Sequence, residues 1–341
     1  MKVSEYGYDK FFKIQFEKAA GEGSLPARII SESRNHFKVV CEKGFFEAKL
    51  SGKLRQSAIF KSDLPAVGDW VAIYVRRDKA FIHAILDRKS SITRKTAGKV
   101  FDRQVLSSNI DVLFIVTSLD CDFNINRLGR YVSLAKTGRV KPVILLSKSD
   151  LVSETGSFAG QITENFPSVP VHSVSVKDEN TLKLMEKYLK KGVAASFVGS
   201  SGVGKSTLIN MLAGEDIRKT AEVSKTDNKG RHTTSQRELI LLENGGIVID
   251  TPGIRELQVW DEDISSGFED IEKLSQDCRF FDCMHDTEPD CAVKKGVEEG
   301  TISAKRLEKW KERKKEIEEM VKNKELSAKI LAKRKFSKKN K

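Results

Sequence analysis

Between an apolar run at residues 194–198 and an apolar-faced segment at 205–213, the chain reads Gly199-Ser200-Ser201-Gly202-Val203-Gly204-Lys205-Ser206, followed by Thr207. This is G-x-x-x-x-G-K-S at the boundary of a strand and a helix, and no other feature constrains the fold as tightly. Glycines let backbone N–H groups turn inward on phosphate oxygens, and the start of a helix adds a favourable dipole. The spacing predicts a strand, a phosphate-binding loop and a helix stopped by Gly214. In such a loop Lys205 reaches the β and γ phosphates of a nucleotide and Ser206 ligates Mg2+.

Two further motifs extend the site. Residues 247–249 form an apolar run that ends in Asp250-Thr251-Pro252-Gly253. An acid at a strand tip can hold magnesium through water, and Gly253 can offer its N–H to the γ phosphate and so sense its loss. The phosphates of ATP and GTP are the same, so base choice needs another site. Ser147-Lys148-Ser149-Asp150 closes the apolar run at 142–146. A carboxylate at Asp150 accepts both N1–H and N2–H2 of guanine, which adenine cannot offer, and the Lys148 stem can lie along the purine face. Ser175-Val176-Lys177 follows another strand and can support the base edge through backbone N–H groups. Asp150 argues against an ATPase.

The order of these motifs is unusual. In ordinary G proteins the phosphate loop opens the domain and the base-reading motifs close it, whereas here residues 147–177 precede the loop at 199. A circular permutation explains the order, because one sheet can be cut elsewhere if the old ends are joined. The new cut falls just after residues 250–253, so whatever follows is tied to a nucleotide-sensitive loop. Apolar strands alternate with helical patterns through this part of the chain, which predicts βαβ units and a parallel sheet over residues 107–272. Residues 27–90 carry short β-rich runs between turn residues, which suggest a small barrel or sandwich. Residues 1–26 read as a helical extension, 91–106 as a linker, and 273–341 as a cysteine-bearing and then basic helical region.

At 341 residues the chain is long enough for several domains. The formal net charge of +12 makes a polyanion the first partner to consider. From residue 302 onward there are sixteen Lys or Arg against six Asp or Glu, so the tail carries most of that excess. It reads as a long basic helix suited to RNA, with binding that weakens steeply with salt. No apolar run approaches the roughly eighteen residues of a membrane span, and a cytoplasmic monomer is expected. Of five cysteines, Cys278, Cys283 and Cys291 lie within fourteen residues together with His285. Three thiolates and an imidazole form a complete tetrahedral set for one structural Zn2+, with no open position for catalysis.

Taken together, P-A-V-G-D-W-V at 65–71, S-N-I-D at 108–111, the phosphate loop at 199–207, G-R-H-T-T at 230–234, D-T-P-G at 250–253 and C-x4-C-x-H-x5-C at 278–291 resemble the RsgA (YjeQ/YloQ) family of ribosome small subunit-dependent GTPases. The resemblance covers about residues 27–313. It implies a multidomain α/β protein: an N-terminal OB-fold β-barrel, a circularly permuted P-loop GTPase domain and a C-terminal zinc-binding domain with basic helices. It also implies GTP and GDP as ligands, the small (30S) ribosomal subunit and its rRNA as partners, and a role late in assembly of that subunit. The family's base motif usually begins with Asn where Ser147 stands; serine is shorter, so the guanine reading leans on Asp150. The position that carries a water-orienting glutamine in many small G proteins is Ile254. In the family the segment at 229–235 is the first switch, which makes His232 the candidate for orienting water and Thr234 or Thr233 the candidate for closing over magnesium. A second reading is an RNA-binding scaffold in which GTP is only structural, which Ser147 and Ile254 favour.

Overall fold

The computed structural model describes residues 2–33, 36–58, 60–95, 103–119, 122–152, 155–223, 237–250, 269–280, 283–304, 306–308, 310–312 and 315. They fall into two compact units, one drawn from Met1–Arg55, Lys61–Arg94 and Arg103–Val259, the other from Gln56–Phe60, Lys95–Asp102 and Trp260–Lys341.

The first unit begins with helix α1 (Lys10–Ala19), whose N-cap Asp9 accepts from Phe11 N and Phe12 N. Phe12 is buried with its ring 5.7 Å from that of Trp70. Five strands follow: β1 (Leu25–Ser33), β2 (His36–Cys41), β3 (Gly44–Leu50), β4 (Trp70–Arg76) and β5 (Lys79–Ile85), with a short helix α2 (Gly52–Ser57) after β3. They pair in the closed order β1-β2-β3-β5-β4-β1, with only β3 and β5 parallel. Closure makes this an OB-like barrel and decides against a sandwich. In β3 the alternation of exposed Phe45, Glu47 and Lys49 with the less exposed Phe46, Ala48 and Leu50 is the period-2 pattern of a half-buried strand.

A small ribbon of β6 (Ser91–Lys95) and β7 (Arg103–Ser108) leads into the second half of this unit. There β8 (Val112–Ser118), α3 (Ile125–Thr137), β9 (Lys141–Ser147), α4 (Gly156–Asn165), β10 (Val171–Ser173), α5 (Glu179–Glu186), β11 (Ala194–Val198), α6 (Lys205–Val223), β12 (Arg237–Leu241) and β13 (Ile247–Asp250) follow in turn. The sheet order is β10-β9-β8-β11-β13-β12, parallel except for β12. β8 is buried along its whole length, as a central parallel strand must be. Its Leu113 and Ile115 pack in the cluster that holds Leu128, Tyr131 and Val132 of α3, and its Phe114 and Val116 pack with Met185 of α5 and Leu208 and Ile209 of α6.

Barrel and sheet are one hydrogen-bonded surface. The outer edge of β1 pairs with β4 at residues 25–28 and with β12 at Ser31 and Glu32, and its register with β2 shifts between Ile29 and Ser31, where such an irregularity lets the strand bend. Arg28, fully buried, donates through Nε to Gly68 O at 3.2 Å, through Nη2 to Asn109 O at 2.9 Å, and through Nη1 to Tyr6 O. Burial pulls its pKa down to about 10 against the opposing pull of Asp111 and Asp69, so it stays charged at neutral pH. Gly68 has φ +95°, and a Cβ there would meet Ser108 O at 2.1 Å, so the barrel loop and β7 approach this closely only because position 68 is glycine. Beside it Asp69 accepts from Arg88 Nε at 2.8 Å and Nη2 at 2.7 Å.

The second unit contains α7 (Glu269–Ser275), α8 (Ala292–Glu298) and the helical residues that follow residue 303. Its core is formed by Ile271, Val293, Ile302, Leu307 and Trp310 with Cys283 and Cys291. The tail beyond residue 315 lies outside the described residues. No helix among the described residues is long and apolar enough to cross a membrane.

Replacing Arg28 by Met takes this buried donor from Tyr6 O and Asn109 O and leaves Gly68 O with Asn109 Nδ2 at 3.1 Å. Arg28→Met is expected to lower unfolding free energy by about 3 kcal/mol or more, read as a lower urea midpoint.

Candidate functional site

The sequence motifs come together at the carboxyl ends of β9, β10, β11 and β13, where open α/β sheets bind ligands. Gly199 leaves β11 with φ +142°, and a Cβ there would meet Val116 O of β8 at 2.1 Å; the loop can turn here only as glycine. Val203 is buried in the sheet core and anchors the loop's far side. Gly202 and Gly204 also have positive φ, and Ser200, Ser201, Ser206 and Thr207 line the rim, all but the half-buried Ser200 exposed. Lys205, the first residue of α6, donates through Nζ to Gly199 O at 2.7 Å and to Ser200 O, so its ammonium arcs over the loop. Asp250 ends β13, one residue beyond Ile249, which is in register with Ser196 of β11. The Ser196 hydroxyl donates to Ile249 O at 3.0 Å and ties the two strands together below the loop. His232, Thr233, Thr234, Gly253 and Ile254 lie outside the described residues.

On the base side, Lys148 sits in the left-handed region with φ 57°, which turns the chain sharply after β9. Asp150 follows, and its carboxylate accepts from Lys177 Nζ at 2.9 Å and from the Ser175 hydroxyl at 2.8 Å. Those two hydrogen bonds, Lys177 first, hold its pKa below the ordinary carboxylate value, so it is ionised at neutral pH. Ser175 acts through its hydroxyl, because its N–H already donates to Thr181 Oγ1 at 3.1 Å, and Thr181 Oγ1 in turn donates to Ser175 O at 2.8 Å. Sequence reasoning missed Thr181, whose one signal is a polar residue on the first turn of a helix just after the S-V-K triplet. Val176 is exposed.

Ser147 has a partner that the sequence does not reveal. It is buried at the end of β9, and its hydroxyl donates to Val203 O at 2.7 Å and lies 3.3 Å from Thr117 O. The side chain braces the end of β9 against the phosphate loop, and a short hydroxyl is enough for that contact.

In the second unit Cys278, Cys283, His285 and Cys291 converge, their ligand atoms all within 4.8 Å of one another, a set able to hold a metal ion. Cys278 Sγ and Cys291 Sγ are 3.8 Å apart, and His285 Nδ1 lies 3.6 Å and 3.2 Å from them. His285 and Asp290 adopt positive φ, which folds the segment back on itself. Lys294 N donates to Cys291 Sγ at 3.4 Å, and the Glu288 carboxylate accepts from Met284 N at 2.9 Å and Asp286 N at 2.8 Å. Burial pushes the Cys283 thiol up, and the neighbouring Cys291 and Cys278 raise it further.

Fold and site define a circularly permuted P-loop GTPase with an OB-like barrel ahead of it and a cysteine-histidine cluster behind. Comparison with known proteins narrows this class. The RsgA GTPase family matches residues 85–260, and the family described as 50S ribosome-binding GTPase matches residues 194–334. The chain is 38% identical over 319 residues to the small ribosomal subunit biogenesis GTPase RsgA of Opitutus terrae, covering 90% of this chain and 87% of that protein. It is 39% identical over 318 residues to RsgA 2 of Lactiplantibacillus plantarum, covering 93% and 90%. The crystal structure of YjeQ from Thermotoga maritima superposes with a TM-score of 0.53 at 26% identity, over 87% of this chain and 99% of that one. The chain belongs to the RsgA family of GTPases.

Ser147→Ala removes the brace on the phosphate loop and leaves Asp150 in place. GTP and GDP affinity are expected to fall together by about five- to tenfold, the worth of one buried hydrogen bond, with the preference for guanine over adenine unchanged by competition titration.

Proposed function

We propose that this protein is a cytoplasmic GTPase that binds the small ribosomal subunit and acts late in its assembly, with hydrolysis of GTP to GDP and phosphate promoting its release. The observation that carries the reading is the assembly of a phosphate loop, a carboxylate base reader and a strand-end acid on one edge of a permuted sheet. The names of relatives at 38% and 39% identity support the choice of the small subunit.

In this reading the loop N–H groups of residues 199–207 and Lys205 hold the phosphates, Ser206 and Asp250 hold Mg2+ with Thr234 closing over it, and Gly253 senses the γ phosphate. Mg2+ when bound neutralises charge on the β and γ phosphates. Asp150 reads guanine, oriented by Ser175 and Lys177, with Lys148 along the purine face. His232 orients the attacking water, since Ile254 cannot. Cys278, Cys283, His285 and Cys291 hold one structural Zn2+: a tetrahedral cage of thiolates at zinc–sulfur length has edges of about 3.8 Å, which the Cys278 to Cys291 spacing matches. Binding it requires the raised Cys283 thiol to lose its proton, so metal uptake releases protons and weakens as pH falls. The barrel and the basic tail are suited to rRNA.

His232→Ala is expected to keep GTP affinity and lose most turnover on small subunits; undiminished turnover rules out the assigned role. Protein purified without chelator is expected to contain close to one equivalent of zinc, and Cys283→Ser less than half of that, by elemental analysis. Small-subunit co-sedimentation is expected with a non-hydrolysable GTP analogue and to weaken with GDP; equal retention in both states contradicts hydrolysis-linked release.

A further inference from the structure

We propose that the end of the parallel sheet remote from the phosphate loop is a docking surface for RNA phosphates, built from the turns that lead into β9 and β11. For the identity of the RNA it rests on the small-subunit reading above.

The first turn presents Lys136, Arg139 and Lys141, and the second presents Lys187, Lys190 and Lys191; all six are exposed. None of them has an ion-pair partner among the described residues. The turns are fixed to each other through one residue. Lys141 N donates to Asp111 O at 2.9 Å, Asp111 N donates to Ala194 O at 2.7 Å, and Ala194 N donates to the Asp111 carboxylate at 2.8 Å. Lys141 is in register with Val112 and Val112 with Ala195, so the turns stand two strand spacings apart, about 10 Å. The carboxylates beside them are Asp111, already engaged with a backbone N–H, Glu186 at the end of α5, and Glu243 in the β12–β13 turn, where Gly192 N donates to Gly245 O at 2.8 Å. A cationic excess therefore remains on a rigid scaffold.

An aromatic side chain organises part of it. Lys141 Nζ lies 5.5 Å over the Tyr188 ring, and the Tyr188 hydroxyl is 2.7 Å from His172 Nε2 on β10. Burial, and after it the nearby Lys187, lower the His172 pKa, so the imidazole is neutral and holds the ring by hydrogen bonding without adding charge. Holding Lys141 over a ring reduces the rotamer freedom lost when it meets a phosphate.

Position decides what such a surface does. The nucleotide motifs stand at the carboxyl ends of the strands and these turns at the amino ends, the length of β9 apart, or about 20 Å. RNA held here leaves the nucleotide mouth open, so this part of the affinity is the same in the GTP and GDP states. Exposed cations in two turns about 10 Å apart, with few carboxylates beside them, suit the repeated phosphates of RNA; an acidic protein is the competing occupant.

The test compares two triple variants, K136Q/R139Q/K141Q and K187Q/K190Q/K191Q, with K10Q/K13Q/K18Q on the exposed face of α1, which removes equal charge elsewhere on the same unit. Unchanged GTP affinity and circular dichroism report that each variant folds. Binding to purified small subunits and to protein-free small-subunit rRNA is measured against salt, with GDP and with a non-hydrolysable GTP analogue. Each sheet-end variant is expected to weaken both kinds of binding about tenfold, by the same factor with either nucleotide, and to make the salt slope shallower by about 2 to 3; the α1 variant is expected to stay within about twofold. Wild-type binding, a loss no greater than that of the α1 variant, or a loss in one nucleotide state only overturns the proposal. Weakened binding to subunits with rRNA binding intact assigns the surface to an acidic protein and also overturns it. If the wild-type protein ignores subunits while the sheet-end variants still lose rRNA binding, the small-subunit reading fails and the surface stands.

Discussion

One strand edge carries this molecule. β1 closes the barrel against β4 over its first half and extends the nucleotide-binding sheet through β12 over its second, and Arg28 fills the corner where the two meet. Removing a guanidinium from water costs several kcal/mol, which is offset only because three backbone carbonyls from separate segments accept from it and the Trp70 ring lies 5.8 Å away. The consequence reaches the site. β12 begins just after residues 230–234, pairs with β13 that ends at Asp250, and shares the Arg237–Glu32 ion pair at 3.1 Å with the barrel. The barrel is therefore bonded to β12, the strand that in the chain lies between residues 230–234 and 250–253.

Permutation fits the same logic. What a G domain needs is a set of loops at the carboxyl ends of adjacent parallel strands, and that set depends on sheet order, with chain order free to vary. Here β9 and β10 come first in the chain and β11, which leads into the phosphate loop, later, and β8 lies between the two groups in space. Contacts such as Gly199 against Val116 and Ser147 against Val203 rejoin across the sheet what the chain order separates.

The phosphate loop was legible in the sequence because its demands are local: glycine where φ is positive or a neighbour is close, lysine and serine at the helix start. The cysteine-histidine cluster was legible for a related reason, since four ligands within fourteen residues leave few other uses. Where function depended on distant partners the reading was incomplete. Strand spacing alone left residues 27–90 as a barrel or a sandwich; the family resemblance implied the OB-fold barrel, and the β3–β5 pairing closes it. Gly68, Asp69 and Asn109 were visible as motif letters, but their work is to accept from Arg28 and Arg88 or to fit against β7, across 19 to 81 residues of sequence. Nothing in the sequence reveals that the Ser147 hydroxyl meets a carbonyl 56 residues away. For the triplet Ser175-Val176-Lys177, read as offering backbone N–H groups, the sequence does not reveal that Thr181 Oγ1 takes the N–H of Ser175. His232, Thr233, Thr234, Gly253 and Ile254 rest on sequence alone.

Control of this GTPase by the small ribosomal subunit is read from the steady-state rate of GTP hydrolysis with and without purified small subunits, with large subunits as the control. Slow turnover by the protein alone and a rise of at least about tenfold with small subunits only are expected. A rate that small subunits leave unchanged contradicts such control and leaves a nucleotide-stabilised RNA-binding scaffold in its place.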